Sequence, residues 1–269
     1  MITLNGRNID YKECGNGPAV LFIPGSFSTP SAWTAMQKAL PQQYRFVSTS
    51  LCGYGSTDET RSTDNFGMDH LVRTIEAVAK EIGEPVHLVG HSFGGTVAFA
   101  SAISGTFDVL SITTFEANPV TMIYECGDHQ LFEATKKISD EYEAAFHSGE
   151  RDAAGRIIDF WGGDGSFDAM PKYVQEYCRQ TTASNILDWH TAFSFKATIS
   201  DYSTLSVPVL LARGAYSNLQ MLKITETLQA CIPNQRSAVI EDASHFLITS
   251  HPNACADLLG EFLQEIVNR

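Results

Sequence analysis

Gly90-His91-Ser92-Phe93-Gly94 is the stretch of sequence that decides the fold. It follows the apolar run Val86-His87-Leu88-Val89, which is typical of a buried strand, and precedes the Ala- and Val-rich segment 96–103, which predicts a buried helix. A sharp turn from strand to helix strains its central residue and leaves no room for side chains two positions away, so both flanks must be glycine. The pattern predicts a nucleophile elbow with Ser92 at its tip. A glycine-rich loop that contains a serine by chance is the alternative.

A serine hydroxyl is inert without a base, and the order of the chain selects His245 for that role. His245 lies between the strand-like segment 237–240 and a final amphipathic helix, and in this architecture the base comes last. His251 is the other late histidine, but it stands beside Pro252, which suits the first turn of that helix.

Around these two motifs the sequence resembles the α/β-hydrolase superfamily, in its capped form with a serine nucleophile, over nearly the whole chain. Residues 21–26 (Leu-Phe-Ile-Pro-Gly-Ser) resemble the third strand and oxyanion loop. Residues 51–56 are similar to the glycine-rich turn after the fourth strand, and residues 207–211 to the seventh strand. The resemblance implies a mostly parallel, eight-stranded α/β sheet flanked by helices.

The resemblance also implies an oxyanion hole built from backbone amides. Its donors would be the N–H of Phe93 and the N–H of Ser26, with Phe27 as the alternative to Ser26. The chain has Pro24-Gly25 where the family usually has His-Gly, and Ser50-Leu51-Cys52-Gly53 where it usually has Asp-x-Arg-Gly. Neither departure removes a chemical group that the reaction needs, because the donors belong to the backbone.

The catalytic acid is the departure that bears on mechanism. Relatives carry it just past the seventh strand, where this chain has Ser217, which cannot hold a negative charge. Either the triad is incomplete, or the acid comes from the end of the sixth strand, as in some relatives. Glu116 directly follows the strand-like run 109–115 and is our candidate, although a solvated strand-end glutamate is the common case. Glu241 and Asp242 lie too close to His245 in one loop to be favoured.

Strand and helix patterns alternate over residues 1–118 and again over 201–269, and these two parts form the predicted α/β-hydrolase core. The strand pattern disappears over residues 119–200, which read as helices. This segment is the predicted helical cap, inserted after the sixth strand.

The cap is rich in aromatic residues, with 12 of the 28 in 82 of the 269 positions. This excess suggests that the cap closes an apolar cleft over Ser92. The predicted substrate-binding residues are Phe27, Trp161, Phe167, Trp189 and Phe193, although aromatic residues at helical spacing more often pack inside the helices.

Composition narrows the partners and the location. A net charge of −13 disfavours nucleic acid and anionic membranes, and no apolar stretch approaches the roughly 18 residues of a transmembrane helix. The six cysteines are scattered without a Cys-x-x-Cys pair, so we expect reduced packing residues and no metal site. A cytoplasmic monomer or homodimer that acts on a small molecule without a cofactor is the expectation.

The predicted function is hydrolysis of a small, largely apolar ester or related acyl compound through an acyl-enzyme. Ser92 excludes the aspartate-nucleophile relatives. Carbon–carbon bond hydrolases and perhydrolases use the same triad, so the leaving group stays open. A non-catalytic ligand-binding homologue is the alternative of a different class, because a fold does not fix a function.

Overall fold

In the computed structural model, which describes residues 1–4 and 6–267, a seven-stranded sheet has the order β3-β5-β4-β6-β7-β8-β9. Only β3 runs antiparallel to its neighbour, and the other six strands are mutually parallel. The strands are β3 (Lys12–Cys14), β4 (Ala19–Ile23), β5 (Arg45–Ser48), β6 (Val86–His91), β7 (Val109–Phe115), β8 (Val209–Gly214) and β9 (Gln235–Ile240). The predicted mostly parallel α/β sheet is therefore confirmed.

The predicted number of eight strands is wrong, because β1 (Ile2–Leu4) and β2 (Arg7–Ile9) pair with each other in a separate hairpin. Both are three residues long and expose most of their side chains, so they bury little apolar surface. The edge strand β3 is exposed throughout and carries Lys12 and Glu13, a composition that discourages further pairing.

The central strands are continuous apolar runs because helices cover both faces of the sheet. All five residues of β4 are buried, and so are all six of β6. The helices of the core are the 3₁₀ helix Pro30–Trp33, α1 (Thr34–Ala39), α2 (Asp69–Ile82), α3 (Phe93–Ser104), α11 (Leu219–Cys231), α12 (Leu247–Ser250) and α13 (Pro252–Val267).

Several boundaries differ by a few residues from the sequence patterns. The predicted seventh strand begins at Val209 and not at Val207, since Pro208 has no N–H to donate to a sheet. The predicted start of the last helix at Pro252 is confirmed.

Seven helices lie between β7 and β8: α4 (Thr121–Glu125), α5 (His129–His147), α6 (Ala153–Gly162), α7 (Ser166–Ala169), α8 (Lys172–Gln180), α9 (Thr182–Ser194) and α10 (Ile199–Ser203). No strand interrupts them, which agrees with the helical pattern expected for residues 119–200. Helix α10 crosses the predicted boundary at residue 200 and ends at Ser203. Within the described ranges, no helix is long and apolar enough to cross a membrane.

Parallel strands bring their carboxyl ends to one edge of the sheet, where α/β proteins bind ligands. Residues that follow β4, β6, β7, β8 and β9 meet at this edge. They include Ser26, Ser92, Glu116, Ser217 and His245, which is why residues far apart in sequence form one site.

Candidate active site

Ser92 occupies the turn between β6 and α3, with φ 54° and ψ −127°. This backbone conformation is sparsely populated for L-residues and is held only by tight surroundings. A Cβ atom at Gly90 would lie 2.5 Å from the Cα of Gly95, and one at Gly94 would collide with the Pro24 carbonyl oxygen. The two glycines therefore let three backbone segments pack closely around the serine.

His245 lies in the loop after β9 and connects Ser92 to Glu116. Its Nε2 is 2.9 Å from the hydroxyl oxygen of Ser92, and its Nδ1 is 2.8 Å from Oε2 of Glu116. With the proton on Nδ1, the imidazole donates to the carboxylate and accepts from the serine hydroxyl. All three side chains are buried, with residue exposures of 3, 7 and 2 % for His245, Ser92 and Glu116.

Glu116 follows β7 directly and has a positive φ of 54°. Its N–H donates to the Ala212 carbonyl at 2.8 Å, which ties it to β8. Its other carboxylate oxygen, Oε1, accepts from the Gly214 N–H at 2.7 Å and from the Ser217 hydroxyl. Burial alone would raise the pKa of Glu116, but the hydrogen bonds from His245, Ser217 and Gly214 outweigh it and hold the pKa below its ordinary value.

Ser217 stands at the position where the resemblance places the acid, and its single hydroxyl proton is shared between the Glu116 carboxylate and the Gly214 carbonyl oxygen, which lies 2.7 Å away. Glu116 is thus not the solvated strand-end glutamate that is the common case, because it is buried. It is fixed by groups from two neighbouring segments.

The predicted oxyanion residues border Ser92. A Cβ atom at Gly25 would lie 2.9 Å from the Cβ of Ser92, so the loop after β4 touches the serine. Phe27 has a positive φ of 57° in the same loop. Phe93 is the first residue of α3, where helical N–H groups have no partner within the helix and carry partial positive charge. Ser26, Phe27 and Phe93 all line one cavity with Ser92.

The apolar wall of this cavity comes largely from the helices between β7 and β8. Trp161 stacks on the His245 imidazole, with ring centroids 5.2 Å apart and an interplanar angle of 24°. Trp189 stacks on Trp161 at 6.0 Å. Two predicted cap residues therefore border the cavity, together with Val120, Ile157, Ile158, Ala192 and Phe246.

Phe167 and Phe193 do not line the cavity, and this corrects their prediction as substrate-binding residues. Phe167 packs in a small cluster with Ala154, Ile158 and Cys178. Phe193 packs against Phe132 at a centroid distance of 5.5 Å. Both rings pack between helices, which was the alternative to substrate binding for aromatic residues at helical spacing.

The cavity has five further polar residues that the sequence motifs did not predict: Ser28, His91, Asn118, Asn185 and Asp188. Asn118 donates from Nδ2 to the Ser92 hydroxyl oxygen at 3.3 Å. It stands two residues after Glu116, so its position at the same strand end was a usable signal. The buried Asn185 and Asp188 stand in α9 without a motif, so nothing in the sequence marked them.

His91 holds the backbone of His245. Its Nε2–H donates to the His245 carbonyl at 2.8 Å, and its Nδ1 has no hydrogen-bond partner among the described residues. Burial, and then the nearby His245, lower the pKa of His91 to about 3, so it stays neutral.

Asp188 joins the helices of the cavity wall to two loops of the core. It accepts from the Ser26 hydroxyl at 2.5 Å, from the Tyr54 hydroxyl at 2.6 Å and from the Arg61 guanidinium at 2.7 Å. Burial raises the pKa of Asp188, although Arg61 and the two hydroxyls oppose that effect. Within the described ranges, no group of three or more His, Cys, Asp or Glu side chains is arranged to hold a metal ion.

A model of the alpha/beta hydrolase family matches residues 20–258. The chain belongs to the alpha/beta hydrolase family. A pimeloyl-[acyl-carrier protein] methyl ester esterase of Aliivibrio salmonicida is 26% identical over 93% of this chain and 94% of its own length. Among solved structures, an α/β hydrolase of Sphaerobacter thermophilus has a TM-score of 0.76 at 20% identity, covering 96% of this chain and 97% of its own. The enol-lactonase of Burkholderia xenovorans has a TM-score of 0.76 at 14% identity, covering 97% of this chain and 98% of its own.

Proposed function

We propose that this α/β hydrolase is a cofactor-independent serine hydrolase that cleaves a small acyl ester through an acyl-enzyme. The observation that carries the proposal is the hydrogen-bonded series from the Ser92 hydroxyl through the His245 imidazole to the Glu116 carboxylate. A nucleophile, a base and an orienting acid in this arrangement are the groups that acyl transfer requires. The similarity to an esterase and to the fold of a lactonase agrees with an acyl substrate.

In the proposed first step, His245 Nε2 takes the hydroxyl proton as the Ser92 oxygen bonds to the substrate carbonyl carbon. The N–H groups of Phe93 and Ser26 stabilise the resulting oxyanion. The intermediate then breaks the bond to the leaving alcohol, which receives the proton from His245. Water, deprotonated by His245, attacks the acyl-enzyme in the same way and releases the acid.

The helices between β7 and β8 act as the cap in this proposal. Their tryptophans supply an apolar wall beside the reacting atoms, which favours a small acyl chain and restricts water. The packing of Trp161 on His245 also places an aromatic face against the ring that becomes cationic during each step.

Activity-based labelling tests the proposal. A fluorophosphonate is expected to modify Ser92, and Ser92→Ala is expected to abolish both the labelling and the hydrolysis of short-chain nitrophenyl esters. Ser200→Ala, at an exposed serine of α10, is the matched control and should keep both. If the folded wild-type protein does not react, or reacts at another serine, the non-catalytic ligand-binding alternative replaces this proposal.

A further inference from the structure

Helix α9 presents polar side chains to the cavity that the proposed hydrolysis does not use. Asn185 and Asp188 are three residues apart and therefore share a helix face. Both line the cavity that contains Ser92, and each is 2 % exposed. Trp189 and Ala192 complete the cavity-facing stripe of this helix.

The side-chain carbonyl oxygen of Asn185 has no hydrogen-bond partner among the described residues. Buried polar atoms in native proteins are nearly always hydrogen-bonded, because an unpaired one loses its interaction with water and gains nothing in return. Since this residue borders a cavity, a molecule in the cavity can supply the missing donor.

Asp188 also retains capacity to accept a hydrogen bond. An ionised carboxylate offers about four lone-pair sites, and three donors already occupy Asp188: Ser26 and Tyr54 on one oxygen and Arg61 on the other. The stripe on α9 thus combines the Asp188 carboxylate, which accepts hydrogen bonds, with the Asn185 amide, whose unpaired oxygen accepts and whose nitrogen donates.

The charge around the stripe disfavours an anionic ligand. No lysine or arginine is among the described residues that line the cavity. Arg61 forms ion pairs with Asp188 at 2.7 Å and with Glu59 at 2.9 Å, so its positive charge is divided between two carboxylates. A substrate carboxylate would therefore meet the charge of Asp188 with no positively charged side chain in the described cavity lining, in a buried setting where repulsion is strong.

We propose that Asn185 and Asp188 form a subsite that binds a neutral hydrogen-bond donor, a hydroxyl or amide N–H, of the ester substrate. The inference rests on the proposed function and names the substrate class: an ester with an apolar body, packed on the tryptophan wall, and one donor group that reaches α9. The expected substrate is therefore a largely apolar ester that carries one hydroxyl or amide N–H group.

Matched ester pairs that exchange a hydroxyl for a methyl group test the subsite. One pair varies the acyl chain (methyl 6-hydroxyhexanoate against methyl heptanoate), and the other varies the alcohol (2-hydroxyethyl butyrate against propyl butyrate). We expect kcat/KM to favour the hydroxyl compound by about tenfold or more in at least one pair. Monomethyl adipate, which carries a carboxylate, should be at least about tenfold poorer than methyl heptanoate.

Asn185→Leu keeps the approximate shape of the side chain and removes its acceptor, so the hydroxyl preference should fall to near one. Asn185→Ala provides a second variant should the leucine protein fail to fold. Asn253→Leu, at an exposed position of α13, is the matched control and should keep the wild-type preference. A wild-type preference near one in both pairs, or a preference that survives in folded Asn185 variants, overturns the subsite.

A binding measurement separates this inference from the proposed function. In Ser92→Ala, titration calorimetry gives Kd for both members of each ester pair without turnover. Tighter binding of the hydroxyl compound, lost in the Ser92→Ala/Asn185→Leu double variant, supports the subsite even if the wild-type protein hydrolyses no ester. Equal Kd values within both pairs overturn the subsite even if a fluorophosphonate labels Ser92.

Discussion

At the scale of single residues, the site depends on backbone conformations that ordinary residues avoid. Ser92, Glu116 and Phe27 all have positive φ values, between 54° and 57°. Such conformations persist only where the surroundings fix them, and they cluster at functional sites. Here the strain is offset by packing at Gly25, Gly90 and Gly94 and by the hydrogen bonds to Glu116.

If Glu116 is the acid of the proposed triad, Glu116→Gln is expected to preserve the fold and to lower kcat by about 10⁴-fold, the effect of converting a triad acid to its amide. A neutral partner no longer selects the imidazole tautomer with its proton on Nδ1, and it does not stabilise the imidazolium. Steady-state kinetics on a nitrophenyl ester, with circular dichroism as the check on folding, measure the effect.

Ser217→Ala is the matched control for Glu116→Gln. Its expected loss in kcat is no more than about tenfold, since the Gly214 N–H still holds the same carboxylate oxygen. If Glu116→Gln keeps near-wild-type kcat while Ser217→Ala loses it, the third member of the triad is Ser217 and the role given to Glu116 is wrong.

At the scale of elements, helix α3 approaches the sheet so closely that its second and third residues must be glycine. A Cβ atom at Gly95 would lie 2.6 Å from the Cβ and 3.0 Å from the Cα of Ala117, which follows β7. Because the second of these is a backbone atom, the clash cannot be relieved by a side-chain rotation. The contact fixes the distance between the elbow and the residues that follow Glu116.

Gly95→Ala should therefore lower the free energy of unfolding by about 2 kcal/mol or more. Gly260→Ala is the matched control in α13, where the new Cβ would be an ordinary 3.5 Å from the Cδ of Pro41. There the same change should stabilise by roughly 0.5–1 kcal/mol, because alanine loses less backbone entropy in a helix. Urea unfolding of both variants measures the change in the free energy of unfolding and its sign. If Gly95→Ala leaves this free energy unchanged, α3 can shift away from β7.

At the scale of the whole molecule, the buried pair of Arg61 and Asp188 joins the helices between β7 and β8 to the loop after β5. The side chains of Arg61 and Asp188 are 0 and 3 % exposed. Such a pair is weak evidence for stability, but removal of one partner leaves an uncompensated buried charge. The two parts of the fold are therefore expected to unfold together.

Arg61→Met is expected to destabilise the protein by about 3 kcal/mol or more, in the range found for broken buried pairs. Arg156→Met breaks the exposed pair with Glu150, where the side chains are 50 and 39 % exposed, and should cost less than about 1 kcal/mol. Thermal unfolding compares the two. Equal and small effects would show that the Arg61 pair does not join the two parts energetically.

Acid should destabilise the whole molecule through its buried neutral histidines. Burial lowers the pKa of His87 from 6.5 to about 4. As pH falls below 6.5, the unfolded chain takes up a proton that folded His87 refuses, so this stability is complete above about pH 6.5 and is lost as pH falls towards 4.

His87→Gln keeps a partner for the Ser111 hydroxyl, which lies 2.8 Å from His87 Nδ1, and removes the titration. The difference between the two pKa values corresponds to roughly 3 kcal/mol. The variant should lose that much less free energy of unfolding than the wild type between pH 7 and pH 4, as measured by urea titration at both pH values. Identical losses in the two proteins would refute the assignment to His87.

The sequence by itself determined the fold class and predicted the turn at Ser92, and it marked Glu116 and His245 as candidate partners of that serine. These predictions depend on local patterns and on the order of the elements along the chain. The glycine spacing indicates a tight turn, and the apolar runs indicate buried strands. Parallel strands bring their carboxyl ends to one edge of the sheet, however the side chains pack. The hairpin of β1 and β2 was missed although its signal is local, because Asn5-Gly6 between two short runs is a typical hairpin sequence.

Only the tertiary structure decided which helical residues face the cavity. Trp161 and Trp189 border it while Phe167 and Phe193 pack elsewhere, and nothing in the local sequence distinguishes the two pairs. Asp188 receives its three donors from residues more than 120 positions earlier in the chain. Helix orientation is set by the sum of many long-range contacts, so a local pattern gives the periodicity of a face but not what that face touches.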